Sequence, residues 1–187
     1  MKKTPPYKIL GVDPGTNVLG FAVVEVVNKK MKVLELGVIK MGHLETHFLK
    51  LKKIFERIET IIEVYQPRDM AVESPFFGKN VQSMLKLGRA QGVAIAAGMV
   101  NGLNVEEYSP KKIKQSVTGN GNASKEQVAA MLQATMNVDV SKHYLDSTDA
   151  LGAAVCHFHQ SSSLLGGKKR YNDWSSFISD NPNKVSK

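Results

Sequence analysis

The stretch Tyr7-Lys8-Ile9-Leu10-Gly11-Val12-Asp13-Pro14-Gly15-Thr16 decides how the rest of the chain is read. It opens as an apolar strand and stops on a carboxylate followed by turn formers. An Asp before Pro-Gly is by itself an ordinary turn residue. A second short apolar run, Met70-Ala71-Val72-Glu73, ends in the same way, on Glu73 before Ser74-Pro75. Carboxylates at the ends of buried strands are costly unless something positive lies between them.

Residues 19–27 and 31–40 predict two strands around an Asn28-Lys29-Lys30 turn, a hairpin. Phe48, Leu51, Phe55, Ile58, Ile62 and Tyr65 recur at three- and four-residue spacing, an apolar helical stripe that Pro67 closes. Residues 69–73 form the fourth strand, and residues 79–100 suit a long helix. Gly88, Gly92 and Ala96 make a small-residue stripe along that helix, read as core packing in preference to a subunit interface. Residues 104–108 predict a fifth strand. Ser109-Pro110 caps a helix with Pro at its first position, and Ser124 with Gln127 has the capping-box pattern. A last helix starts near Asp146 and runs to about Gln160. This order predicts an α/β domain over residues 1–160, built on a mixed five-stranded sheet flanked by helices. Residues 161–187 turn to Ser, Gly, Lys and Asn, and read as a flexible polar tail.

The chain has 187 residues, 42% hydrophobic and 22% charged, which suits one globular domain with a real core. Collagen-like, disulfide-stapled and integral membrane classes are excluded. A single cysteine, Cys156, forbids an intrachain disulfide and fits a reducing compartment. With no apolar leader after Met1-Lys2-Lys3, the cytoplasm is the expected location. Lys and Arg number 25 against 17 Asp and Glu, a formal charge of +8. That surplus points to an anionic partner, nucleic acid first.

Asp146 and Asp149 open the last helix, where acids are ordinary first-turn residues. Their i, i+3 spacing nevertheless puts both on one helix face. If Asp13, Glu73, Asp146 and Asp149 converge, four like charges need countercharge. Two divalent ions would supply it, and an oxygen-only donor set selects Mg²⁺, with Mn²⁺ as the alternative. A pair of such ions about 3.5–4 Å apart is the usual clamp for in-line phosphodiester cleavage.

Four blocks in order now resemble one family: Val12-Asp13-Pro14-Gly15-Thr16 with Gly20, Val72-Glu73-Ser74-Pro75-Phe76, Leu85-Lys86-Leu87-Gly88, and Asp146-Ser147-Thr148-Asp149-Ala150. They are similar to the motifs of RuvC, the bacterial crossover-junction endodeoxyribonucleases, over roughly residues 8–160. The resemblance implies a ribonuclease H-like fold, a homodimer, and Mg²⁺-dependent symmetric nicking of two opposing strands at a four-way DNA junction. It also implies that Asp13, Glu73, Asp146 and Asp149 are the catalytic metal ligands, and that RuvA and RuvB, the branch-migration proteins, are partners. Phe76 aligns with an aromatic that stacks on junction bases, and Lys114 and Lys125 with lysines that serve DNA binding and catalysis.

Between Ser74 and Lys125 only Glu106 and Glu107 oppose Lys79, Lys86, Arg89, Lys111, Lys112, Lys114 and Lys125. That zone is the candidate phosphate grip, carried by Phe76, Lys79, Lys86, Arg89, Lys111, Lys114 and Lys125. Lys125 sits in the first turn after Ser124, a place where the helix dipole disfavours a cation. The turn Gly119-Asn120-Gly121-Asn122 reads either as a plain loop or as amides open to a phosphate. Cys156, His157 and His159 do not share a tight helix face, so a zinc site is rejected and His157 is taken as structural.

Three other readings compete. Asp13 to Gly20 also matches the first phosphate loop of actin-like ATPases and sugar kinases, but the chain lacks their second, duplicated domain. A ribonuclease H-like RNA-processing nuclease is disfavoured by the Leu-Lys-Leu-Gly block and the paired acids at 146 and 149. A non-enzymatic junction binder would use the basic face without cutting.

Overall fold

The computed structural model describes residues 5–75, 80–139 and 145–165, the last four of these as backbone. The elements run β1 (Tyr7–Asp13), β2 (Val18–Val27), β3 (Lys30–Lys40), α1 (His47–Tyr65), β4 (Asp69–Glu73), α2 (Val81–Val100), β5 (Asn104–Tyr108), α3 (Pro110–Thr118), α4 (Lys125–Met136) and α5 (Leu145–Leu165). The strands form one sheet in the order β3-β2-β1-β4-β5. β1, β2 and β3 are antiparallel neighbours, whereas β1-β4 and β4-β5 are parallel. The sheet is therefore mixed, as the element order predicts.

Local chemistry accounts for the boundaries. Asn28 and Lys29 both adopt positive φ, 50° and 63°, the twist a two-residue hairpin turn requires. Thr46 caps α1 by accepting the Leu49 N–H, and the helix ends on Gln66 in the left-handed region just before Pro67. Ser109 caps α3 with Pro110 at its first position. Ser124 and Gln127 form a reciprocal capping box at α4.

Two cores lie on opposite faces of the sheet. Ile9, Ala22, Val24 and Ala71 pack under α5 and α4 with Leu132, Ala150, Leu151 and Ala154. Leu10, Val12, Val23, Met70 and Val72 pack under α1 and α2 with Ile54, Ile58, Ile62, Ala90 and Ala94. The period-2 alternation of β1 and β4 thus assigns each side chain to one helical layer.

Three expectations change. α2 begins at Val81 with Asn80 as its cap, its side chain accepting the Ser83 N–H. The stripe of Gly88, Gly92 and Ala96 is exposed, and a Cβ at either glycine would meet no atom within 4 Å. The core-packing reading fails because α2 buries Ala90, Ala94 and Ala97 instead, a face rotated away from the glycines. α5 continues past Gln160 to Leu165, and residues 166–187 lie outside the described residues.

Candidate active site

Val12 of β1 stands opposite Val72 of β4 in parallel register. Asp13 and Glu73, one residue further on, therefore leave neighbouring strands at the same level, about 4.8 Å apart in backbone spacing. Two residues beyond Gly11 and Ala71, both carboxylates emerge on the face covered by α5.

Glycines set how closely α5 approaches. A Cβ on Gly20 would overlap the carbonyl oxygen of Asp146, and one on Gly11 would overlap that of Ala150. Gly20 pairs with Asp13 across β1 and β2, so the first turn of α5 is seated directly above the end of β1. Close backbone approach of this kind is available only without a side chain. It brings Asp146 and Asp149 to the strand-end acids.

The electrostatics follow from this crowding. Burial, then Glu73, Asp149 and Asp146, push the Asp13 carboxyl up to about 8, with Lys125 opposing. Burial and then Asp149 raise Glu73 to about 7, with Lys125 and Lys114 opposing. Lys125 Nζ donates to Asp149 Oδ2 at 2.6 Å, and that bond holds the ammonium above its usual pKa. A cavity of about 280 Å³ opens among Glu73, Lys114, Lys125 and Asp149. The unfavourable place of Lys125 in the first turn of α4 is thus explained by its carboxylate partner.

Among the described residues, no three His, Cys, Asp or Glu side chains are set closely enough to grip a single ion between them. Glu73 and Asp149 line one cavity, and every acid of the group offers oxygen donors only. Such a donor set suits Mg²⁺, which keeps several waters and takes one or two carboxylates together with substrate phosphate. An oxygen-only donor set does not suit tetrahedral zinc.

The remaining expected residues divide. Lys114 lines the acidic cavity. Lys111 is exposed on α3, with its side chain against Gly121. Lys86 and Arg89 lie on α2, in the helical layer on the opposite side of the sheet from α5. Phe76 and Lys79 lie outside the described residues. The open-amide reading of the 119–122 turn is not met. The Asn120, Gly121 and Asn122 N–H groups donate to Thr118 Oγ1, Gln115 Oε1 and Asn120 Oδ1.

The sequence reading missed a second polar group at the other end of β4. Asp69, buried, accepts bonds from Arg68 and Asn104 and faces His157 Nε2 at 3.4 Å. His157 Nδ1 is hydrogen-bonded to the Tyr108 hydroxyl at 2.9 Å. Burial works against the Asp69 charge, but its bonds to His157, Arg68 and Asn104 prevail and hold its pKa well below the usual carboxylate range. His157 is structural, as expected. Only the polar Asp69 at the start of a buried strand signalled this network.

The chain from 9 to 157 matches the family model described as Crossover junction endodeoxyribonuclease RuvC. A protein of that description from Christiangramia forsetii is 52% identical over 95% of this chain and 92% of its own length. One from Cytophaga hutchinsonii is 54% identical over 98% and 90%. Among solved structures, T. thermophilus RuvC in complex with Holliday junction substrate superposes with a TM-score of 0.77 at 29% identity, covering 84% of this chain and 96% of that one. The yeast mitochondrial Holliday junction resolvase, at 13% identity and a TM-score of 0.65, shares the fold over 88% of this chain and 83% of its own.

Proposed function

The chain belongs to the RuvC family of crossover junction endodeoxyribonucleases, and from that membership we propose that it resolves four-way DNA junctions by nicking two opposing strands symmetrically, with Asp13, Glu73, Asp146 and Asp149 as its catalytic acids. The observation that carries this reading is the meeting of Asp13, Glu73 and the first turn of α5 beside the Lys125–Asp149 pair.

The four carboxylates would hold two Mg²⁺ ions, with Mn²⁺ as a substitute. Bound there, the ions supply Lewis-acid stabilisation of the phosphodiester and a water acidic enough to attack at neutral pH. The protein's own residues do the rest. β1 and β4 fix Asp13 and Glu73 side by side. α5 presents Asp146 and Asp149 from above. Asp13 and Glu73 must shed the protons their crowding favours before they act as ligands. Lys125 and Lys114 balance the cleft's negative charge and meet the phosphates of the incoming strand.

Lys86, Arg89 and Lys111 are assigned to the DNA backbone, together with Lys79. Phe76, three residues past Glu73, is assigned to base stacking on its family resemblance. Symmetric cutting calls for two active sites, and a homodimer supplies them. The exposed face of α2 supports that assembly: Val81, Leu85 and Met99 are 59–70% exposed, and Gly88, Gly92 and Ala96 allow close helix approach. RuvA and RuvB as partners rest on resemblance, and a flexible tail, confined to residues 166–187, rests on composition. No described helix is long and apolar enough to cross a membrane, and DNA processing suits the cytoplasm.

The test is a mobile four-way junction incubated with the purified protein, with and without Mg²⁺. Nicked duplexes that need the metal are expected, and Asp13→Asn should leave the junction bound and whole. Intact junctions in the presence of Mg²⁺ and folded protein would overturn the reading.

A further inference from the structure

On the face of the sheet opposite α5, four side chains gather that the acidic cleft does not use. The first turn of α1 carries His47 and Lys50, and the second and third turns of α2 carry Lys86 and Arg89. All three cations stand close enough to His47 to act on its imidazole: burial first, then Arg89, Lys86 and Lys50, hold its pKa below the usual histidine value. Among the described residues, none of the three cations has a carboxylate within ion-pair distance. His47 Nε2 is buried and has no hydrogen-bond partner among them.

This group is tied to the catalytic loop. Lys50 Nζ donates to Asn17 Oδ1 at 2.7 Å, and the Asn17 carbonyl accepts the Met41 N–H at 2.8 Å. Asn17 lies four residues past Asp13, in the connection between β1 and β2. The cationic group therefore borders the edge of the sheet from which Asp13 and Glu73 emerge. Lys114 and Lys125 border the same edge from the other layer.

Three like charges beside a neutral N–H donor cost free energy when no anion is present. A phosphate between them removes that cost and accepts from all four groups. We infer that His47, Lys50, Lys86 and Arg89 form a second phosphate-binding station, which holds the DNA strand on the far side of the acidic cleft from Lys114 and Lys125. The station rests on the nuclease reading, since it is the cut strand that crosses the sheet edge. The two cation groups then grip the backbone on either side of the acids.

Binding of a mobile four-way junction is measured in EDTA between 50 and 200 mM KCl. Each phosphate contact steepens the log–log salt slope by about 0.9, which is about a 3.5-fold larger loss of affinity over that range. Lys50→Ala/Lys86→Ala/Arg89→Ala removes that one phosphate contact and is expected to flatten the slope by about 0.9, whereas Lys50→Gln, which leaves two cations on the phosphate, weakens binding with a smaller change of slope. His47→Ala is expected to weaken binding with the slope unchanged, because a neutral donor forms no ion pair. Lys52→Ala/Lys53→Ala, on the same helix, keeps the wild-type slope. A wild-type slope in the folded triple variant would overturn the station. Wild-type protein that binds junctions but does not nick them in Mg²⁺ overturns the catalytic reading alone. Wild-type protein that binds no DNA overturns both.

Discussion

Lys125 Nζ and Asp149 Oδ2, 24 residues apart in sequence, meet at 2.6 Å. The bond joins the first turn of α4 to the start of α5 and places one positive charge beside Asp149, Asp13 and Glu73. It makes Lys125 the countercharge that keeps Asp13 and Glu73 from rising further.

Removing that charge should move the pH dependence of cutting. Asp13 at about 8 and Glu73 at about 7 are protonated below neutrality and ionise as the pH rises through that range. At limiting Mg²⁺ the nicking rate should therefore climb between pH 6 and pH 8.5. In Lys125→Met both carboxyls rise further, and the climb shifts to higher pH. Rates measured across that range at fixed low Mg²⁺ check this, and an unshifted profile would count against the countercharge role.

Asp13→Asn should separate stability from activity. The folded protein holds the Asp13 proton up to about pH 8, whereas the free carboxyl releases it near 3.8. The folded state thus binds more protons across that window, and the metal-free protein loses stability as the pH rises through it. The variant escapes this loss. In EDTA at pH 8 its Tm should exceed that of the wild type by about 2–4 °C, equivalent to about 1 kcal/mol, with the gap closing near pH 4. Nicking should fall to background.

Gly20→Ala tests the seating of α5. The new methyl would overlap the Asp146 carbonyl oxygen, and overpacking of this kind costs about 1–3 kcal/mol. Because the displaced turn carries Asp146 and Asp149, Mg²⁺-dependent nicking should be lost at temperatures where circular dichroism still reports a folded protein. Activity that survives until the fold melts would show that the contact matters for stability only.

Asp69→Asn should destabilise the protein without touching the chemistry. Asp69 is 3% exposed and gathers Arg68, Asn104 and His157. Loss of one partner from a largely buried charge network costs about 3 kcal/mol. Since its folded pKa is depressed, the stabilisation is present above about pH 4 and is lost on further acidification. Urea melts at pH 7 and pH 3 should show a large difference between wild type and variant at pH 7 and a small one at pH 3.

Leu85→Glu places a charge on the exposed face of α2, where Leu85 is 59% exposed. The isolated chain should tolerate it, with a Tm shift under about 1 °C for a surface change of a few tenths of a kcal/mol. A dimer that uses this face should dissociate, as read by light scattering. Unchanged mass would place the interface elsewhere.

Much of the fold was legible because its signals are local. Period-2 runs, the Ser124/Gln127 capping box, Pro110 at a helix start and Pro67 after a helix end act within a few residues of themselves. The bounds of β1, β4 and β5 follow directly from these patterns. The α2 stripe was misread because spacing places Gly88, Gly92 and Ala96 on one face without saying which neighbours that face meets. Ala90, Ala94 and Ala97 offer an equally regular face, and the sheet took that one.

The same division holds at the site. The sequence alone determined which residues could do the chemistry, since two strands that end in acids and an Asp pair at i, i+3 are written in single segments. Tertiary structure decided that they meet, through the parallel register of Val12 with Val72 and the bare backbones of Gly11 and Gly20 under α5. It also decided what accompanies them: Lys125 from α4 on Asp149, Lys50 from α1 on Asn17, and Asp69 with a histidine 88 residues away. A local pattern fixes where a side chain leaves its own element. Only packing brings distant elements within the few ångströms over which charges and hydrogen bonds act.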